Sequence, residues 1–375
     1  MGVQRLGISA IFQKMKNVAV AGRQVRSLLG KEALLQTVSL DKVSIAVGLI
    51  ETPKPSFDSL PGDVLVRKKA FSLNFRDRRM LYTVTLQARE NGFYVIGSDF
   101  FGEVVAVAPD ISSLKPGDRI IGNHSYPATD GVQPGLATPH ASREYEVLKA
   151  GKLLRVPDTM PDAEAAAFAV GAQTVYSMIR RLDLQPGANV LVTAAKSNTS
   201  LFAINALQQR KVNVYATSTS LQYKERFERM GVKEVVSFAD YDQLTKLARS
   251  IGGFTHVIDP FWDIHFARVL PVMRMEGKYI SCGVYDQYLD LTGGSETQRR
   301  RFDEGCMLHV LVKNLQILGN CIGTTEDLQA ALDDYACGRL KVVIDSVFHG
   351  TSVGAFVERT YAAKDRFGKV VFSYE

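Results

Sequence analysis

At 375 residues the chain is long enough for two domains with cores of their own, and 46% hydrophobic against 22% charged residues is an ordinary globular balance. No apolar run approaches the roughly 18 residues of a membrane-spanning helix, which excludes a transmembrane segment. The net charge of +6 arises wholly from residues 1–31, where Arg5, Lys14, Lys16, Arg23, Arg26 and Lys31 face no acidic residue. The remainder is formally neutral, so the basic pI gives no case for nucleic-acid binding by the main body.

The basic stretch is read as an arm over 1–34, either solvated and loosely docked or a targeting segment for an organelle. Its apolar part, residues 7–12, is too short for a secretory signal. The four cysteines (Cys282, Cys306, Cys321 and Cys337) have no CxxC spacing. That pattern suits reduced thiols and a cytoplasmic location.

From residue 35 to about 156, short β-rich runs alternate with turn signals such as Pro61-Gly62 and Lys115-Pro116-Gly117-Asp118, which predicts an all-β, barrel-like domain. Residues 161–181 then read as one helix rich in alanine. Residues 187–236 follow as strand, loop, helix, strand, helix and strand. Asn189-Val190-Leu191-Val192-Thr193 has the composition of a strand buried on both faces. Parallel strands with helical crossovers make a doubly wound nucleotide-binding half, so the fold class is α/β with a Rossmann sheet.

The first strand leads into Ala194-Ala195-Lys196-Ser197-Asn198-Thr199-Ser200, where a dinucleotide site would hold GxGxxG. Here Ala194, Ser197 and Ser200 take the glycine places. All three are small, and hydroxyls beside a helix N-terminus can donate to phosphate oxygens, with Asn198 and Thr199 at the same turn. The same residues would equally serve as a plain helix cap.

In order along residues 40–373, several motifs resemble the medium-chain dehydrogenase/reductase superfamily. They include Leu73-Asn74-Phe75-Arg76-Asp77, Gly97-Ser98-Asp99-Phe100-Phe101-Gly102-Glu103, Gln173-Thr174-Val175-Tyr176, Gly277-Lys278-Tyr279-Ile280-Ser281-Cys282-Gly283 and Gly368-Lys369-Val370-Val371. Asn74-Phe75-Arg76-Asp77 in particular is similar to the zinc-free enoyl reductases and quinone oxidoreductases of that superfamily. The resemblance implies a GroES-like β-barrel domain of residues 35–160 with 324–375, a Rossmann domain of 161–323, and a homodimer joined at the sheet edge near Leu315-Gln316-Ile317-Leu318-Gly319. It also implies that Asn74 lies near the nicotinamide ribose and the substrate and Thr174 near the nicotinamide, both as catalytic-site residues, and that Cys282, Gly283 and Lys369 contact the cofactor. Tyr82 is a candidate proton donor, although a core or surface tyrosine would fit the same position.

Zinc members of the superfamily carry a Cys and a His where this chain has the Asn74 and Asp99 motifs, and no cysteine precedes Cys282. His124 and His140 make no metal-ligand spacing, so the expectation is no metal. Asp77 and Asp99 are read as holding backbone turns. At the end of the second Rossmann strand no acid stands ready for a ribose 2′-hydroxyl. Ser218, Thr219 and Lys224 would instead accept a 2′-phosphate, which favours NADPH over NADH. A helix-start loop would look alike.

The expected activity is hydride delivery to an activated C=C of an unsaturated carbonyl, enoyl thioester or quinone. The alternatives are a zinc-free carbonyl or alcohol oxidoreductase, and a non-catalytic member of the fold kept as a binding or scaffold protein.

Overall fold

The computed structural model describes residues 14–22, 35–86, 92–126, 133–287 and 304–375. The first part of the chain is strand-rich: β1 (Lys14–Ala21), β2 (Leu35–Leu40), β3 (Val43–Pro53), β4 (Asp63–Ser72), helix α1 (Phe75–Leu86), β5 (Phe93–Val95), β6 (Asp99–Val107), β7 (Arg119–Gly122), β8 (Tyr145–Lys149) and β9 (Leu153–Arg155). Four of these strands form a sheet in the order β2-β3-β1-β5.

Residues 14–21 therefore depart from the arm expected over 1–34. They pair antiparallel with β3 from Lys14↔Pro53 to Val20↔Val47. The reason is the alternation of KMKNVAVA, which leaves Lys14 and Lys16 outside while Met15 and Val18 to Ala21 enter the core. The rest of the expected arm, 1–13 and 23–34, lies outside the described residues.

The single helix expected over 161–181 is two, α2 (Asp162–Ala165) and α3 (Ala169–Leu182). The break frees carbonyls that side chains from both halves of the molecule take up. Ser72 Oγ donates to Ala166 O at 2.7 Å, and Asn198 Nδ2 donates to Ala167 O at 3.3 Å. Local helix propensity yields here to tertiary bonding.

The chain then runs β10 (Asn189–Val192), α4 (Asn198–Leu207), β11 (Asn213–Ser218), α5 (Lys224–Arg229), β12 (Val232–Ser237), α6 (Tyr241–Ser250), β13 (Phe254–Asp259), α7 (Trp262–Val269), β14 (Met273–Ser281), α8 (Glu304–Val312) and β15 (Gln316–Gly319). The six strands make one parallel sheet in the order β12-β11-β10-β13-β14-β15. This is the doubly wound order read from sequence. Val190 and Val192 belong to one apolar cluster and Leu191 to the other, so helices cover both faces of the central strand.

The end of the chain returns to the β-rich half through α9 (Thr325–Ala336), β16 (Ile344–His349), α10 (Val353–Tyr361) and β17 (Lys369–Ser373). β17 pairs antiparallel with β4, placing Val371 opposite Ser72, in a seven-stranded sheet that also holds β6, β7, β8, β9 and β16. Phe71, Phe356 and Phe372 knit this junction with ring centroids 5.4–5.5 Å apart. Where β6 crosses β4 the backbones approach so closely that a Cβ on Gly102 would lie 2.6 Å from Arg67 O.

Candidate active site

The carboxyl ends of β10 and β13 point toward the junction with β4 and β17, and a cleft of about 560 Å³ opens between them. One wall comes from Leu73 to Arg76, Tyr361, Arg366 and Lys369. The other comes from Ser197 to Thr199, Pro260, Phe261, Cys282 and Gly283, with Val170 and Thr174 of α3 at the base. Eight residues singled out from sequence meet here: Asn74, Thr174, Ser197, Asn198, Thr199, Cys282, Gly283 and Lys369.

The phosphate-loop segment makes its turn without glycine. Ala194 takes the left-handed conformation with φ 47°, and Ser197 N donates to Ala194 O at 2.8 Å. Ser197 caps α4 by accepting from Ser200 N at 3.2 Å, while Ser200 Oγ donates inward to Thr193 O at 2.6 Å. Ala194 and Ser200 thus shape the loop rather than line the cleft. The next amides, of Asn198 and Thr199, have no partner among the described residues. A ten-residue helix starting there concentrates its positive pole at the cleft.

Next to the loop, where Gly368 N donates to Lys196 O at 3.2 Å, the Arg366 guanidinium donates to Gly368 O at 2.9 Å and lines the cleft. The sequence reading missed it, although it stands three places before Lys369. An oriented helix start and a guanidinium in one cleft fit a pyrophosphate.

The barrel wall carries a buried polar cluster. Asp77 accepts from Asn74 N at 2.8 Å, closing the first turn of α1, and from Ser98 Oγ at 2.7 Å. Asp99 accepts from Val170 N at 2.8 Å and from Asn74 Nδ2 at 2.7 Å. Lys369 Nζ donates to Asn74 Oδ1 at 2.5 Å and to Asp99 Oδ2 at 3.3 Å. His124 Nδ1 accepts from Ala137 N at 3.0 Å, and its Nε2 stands 3.6 Å from Asp99 Oδ1.

Burial alone would raise the Asp99 carboxyl, but the Lys369 ammonium, with His124 and Asn74, outweighs it and holds the group at about 2. Burial lowers Lys369, opposed chiefly by Asp99. For Asp77 burial wins and raises the group. Both carboxylates tie backbone amides, and Asp99 in addition anchors the lysine.

Across the cleft, Asp259 ends β13 fully buried and gathers Thr193 Oγ1 at 2.6 Å, Phe261 N at 2.8 Å and His265 Nδ1 at 2.7 Å, together with the Tyr279 hydroxyl. That hub sets the Pro260–Phe261 corner. Phe261 then stacks edge-on with Phe75 at 4.8 Å, an aromatic contact across the cleft mouth. Burial, reinforced by Asp259, pushes the Cys282 thiol up to about 12, so it stays protonated.

Tyr82 does not line the cleft. It is fully buried in the barrel core, donating to Asp41 Oδ2 at 3.0 Å. Ser218, Thr219 and Lys224 also lie away from it. Ser218 Oγ is engaged in a local turn, donating to Ser220 O at 2.7 Å, and Lys224 is exposed, 3.9 Å from Glu228. A second, larger cavity of about 900 Å³ adjoins the cleft through Tyr126, Cys282, Gly283, Asn320 and Cys321 and runs along Ile317 and Leu318 of β15. Among the described residues no three His, Cys, Asp or Glu side chains converge as a metal-ligand group.

Residues 60–158 match the family described as the alcohol dehydrogenase GroES-like domain. The chain is 25% identical to a zinc-type alcohol dehydrogenase-like protein of Schizosaccharomyces pombe over 84% of its own length and 92% of that protein's. It is 23% identical to acryloyl-coenzyme A reductase of Metallosphaera sedula over 86% of its length and 95% of the reductase. A thermostable alcohol dehydrogenase from Pyrobaculum aerophilum shares the fold, with TM-score 0.75 at 20% identity over 96% of this chain and 100% of that one.

A GroES-like domain joined to a doubly wound parallel sheet, with the cleft between them, defines the class. The chain resembles, over most of its length, oxidoreductases of the medium-chain dehydrogenase/reductase superfamily, on the side of the enoyl reductases and quinone oxidoreductases.

Proposed function

We propose that the protein is a metal-independent, NADPH-dependent reductase of an activated C=C in an unsaturated carbonyl, enoyl thioester or quinone. The observation that carries this reading is one cleft holding both an unpartnered helix start and, facing it, a buried ammonium–carboxylate cluster. Residues 161–323 would hold the nucleotide, and residues 35–160 with 324–375 the substrate. A bound reduced nicotinamide supplies the hydride.

The chain's own residues do the rest. The amides of Asn198 and Thr199, with Arg366, hold the pyrophosphate. Thr174 and the Cys282–Gly283 backbone form the bed beneath the reacting ring. Phe75 and Phe261 exclude water from it. The 2′-phosphate would be met by Thr219 and Lys224, since the Ser218 hydroxyl is already committed. With Tyr82 turned into the core, the α-carbon takes its proton from solvent. The exposed apolar side chains of α8 and β15 are proposed as the face that joins two copies.

The test is titration of the protein with NADPH and NADH by nicotinamide fluorescence, on the native chain and on Lys224→Glu. The expected result is micromolar NADPH binding, weaker NADH binding, and a variant that loses NADPH affinity about tenfold or more with NADH unchanged. Reduction of an enone panel should survive a chelator. No binding of either nucleotide at millimolar concentration would leave the fold without its oxidoreductase role.

A further inference from the structure

The side chain of Asn74 has no donor left for a ligand. Its Nδ2 protons go to Asp99 Oδ2 at 2.7 Å and Ser98 Oγ at 3.0 Å. Its Oδ1 accepts from Lys369 Nζ at 2.5 Å. A flipped amide would set NH₂ against an ammonium and oxygen against a carboxylate, so the charges dictate the orientation. Tyr361 is likewise spent, its hydroxyl donating to Asn74 O at 2.8 Å.

Lys369 differs. An ammonium has three donors, and the bonds to Asn74 Oδ1 and Asp99 Oδ2 use two of them. The third has no partner among the described residues. The residue is only 2% exposed yet forms part of the cleft wall. An unsatisfied buried donor is costly, more so when charged. A ligand oxygen in that part of the cleft would remove the cost. The lysine is also held rigidly: it opens β17, whose partner β4 leads directly into Leu73 and Asn74.

We propose that Lys369 is the group that receives the substrate's carbonyl oxygen, donating to it in the ground state and more strongly as negative charge develops there. This rests on the reductase reading above. As hydride forms the C–H bond at the β-carbon, the C=C π pair becomes the enolate double bond and the carbonyl π pair moves onto oxygen. Lys369 stabilises that oxyanion and keeps its proton. A solvent proton then goes to the α-carbon, restoring the carbonyl. The reductant, a reduced nicotinamide, is oxidised by two electrons. Thr174, which lines the same cleft, is a neutral hydroxyl and a weaker donor than the ammonium.

The test uses 4-dimethylaminocinnamaldehyde, an enal whose absorption moves to the red when its oxygen meets a cation, bound to the full chain without nucleotide. The native protein should red-shift the probe, Lys369→Met should abolish the shift, and Lys369→Arg should retain it. Because Lys369→Met leaves Asp99 buried without its cation, Lys369→Met with Asp99→Asn is measured beside it, and it too should show no shift.

In the native protein the shift should fade with rising pH as the ammonium deprotonates, below the ordinary lysine range, because burial lowers Lys369. The charged and titratable groups facing it are Asp99, Asp77, His124, Arg366 and Tyr361. A native protein that binds the probe without a shift, or a folded methionine variant that keeps the shift, overturns the proposal. NADPH affinity separates the two readings. It should stay within about threefold in the methionine variants, and a parallel loss would make Lys369 a nucleotide contact instead. A probe shift in a protein that binds neither nucleotide would leave Lys369 standing and remove the reductase reading alone.

Discussion

Ala194 shows what a residue type can hide. An alanine at φ 47° occupies a conformation that glycine adopts at no steric cost, whereas a Cβ there costs on the order of 1 kcal/mol. Ala194→Gly is therefore expected to leave the protein as stable as before, or to stabilise it by up to about 1 kcal/mol, in urea unfolding. A loss of more than about 1 kcal/mol would mean that the loop depends on the methyl group. At the same scale, Lys369 is expected from sequence as a cofactor contact and Tyr82 as a proton donor; both are buried, and only Lys369 lines the cleft. One opens a strand at the cleft, while the other points its hydroxyl at Asp41 from a helix face turned into the barrel.

Among the elements, β15 joins an edge position to apolar exposure. It ends the parallel sheet, with no further strand beside it among the described residues, and Ile317 is 41% exposed, as are Leu311 and Val312 of α8 at 68% and 64%. An apolar edge of this kind is a pairing template unless covered. With the homodimer proposed above, Ile317→Lys should convert the dimer to monomer in sedimentation equilibrium, since a charge on that edge opposes pairing. A native chain that sediments as a monomer would remove the proposal. The α2–α3 break belongs to this scale too. Its alanine-rich sequence reads as continuous helix, and only the donors Ser72 and Asn198, distant in the chain, favour opening it.

For the whole molecule, two buried carboxylates tie the acid stability to the barrel. Asp99 is held at about 2, and Glu146 is also held at about 2, where Lys68 and hydrogen bonds from His140, Lys68 and Thr138 outweigh the burial that would raise it. A carboxyl with its folded pKa depressed below the unfolded one adds stability above the unfolded value and loses it as pH falls toward the folded value. Denaturant midpoints should therefore fall between about pH 4.5 and pH 2. Asp99→Asn, less stable at neutral pH because Lys369 loses its counter-charge, should converge on the native curve across that window. Parallel curves would show that Asp99 is not a source of the acid sensitivity.

The α/β class and the strand sequence of the nucleotide half were legible in the chain because they rest on local pattern. Asn189-Val190-Leu191-Val192 is apolar at every position that two covered faces require, and turn residues punctuate the barrel strands. The places of Asn74, Thr174, Ser197 and Lys369 were legible through their motifs. Which groups remain free to act was decided only by the tertiary structure, since that depends on contacts between residues 25 to 295 positions apart. The same holds for β1, whose basic charge suggested an arm until pairing with β3 buried its apolar face. Charge and periodicity are written locally. Desolvation and the consumption of hydrogen-bond donors exist only once the sheets have met.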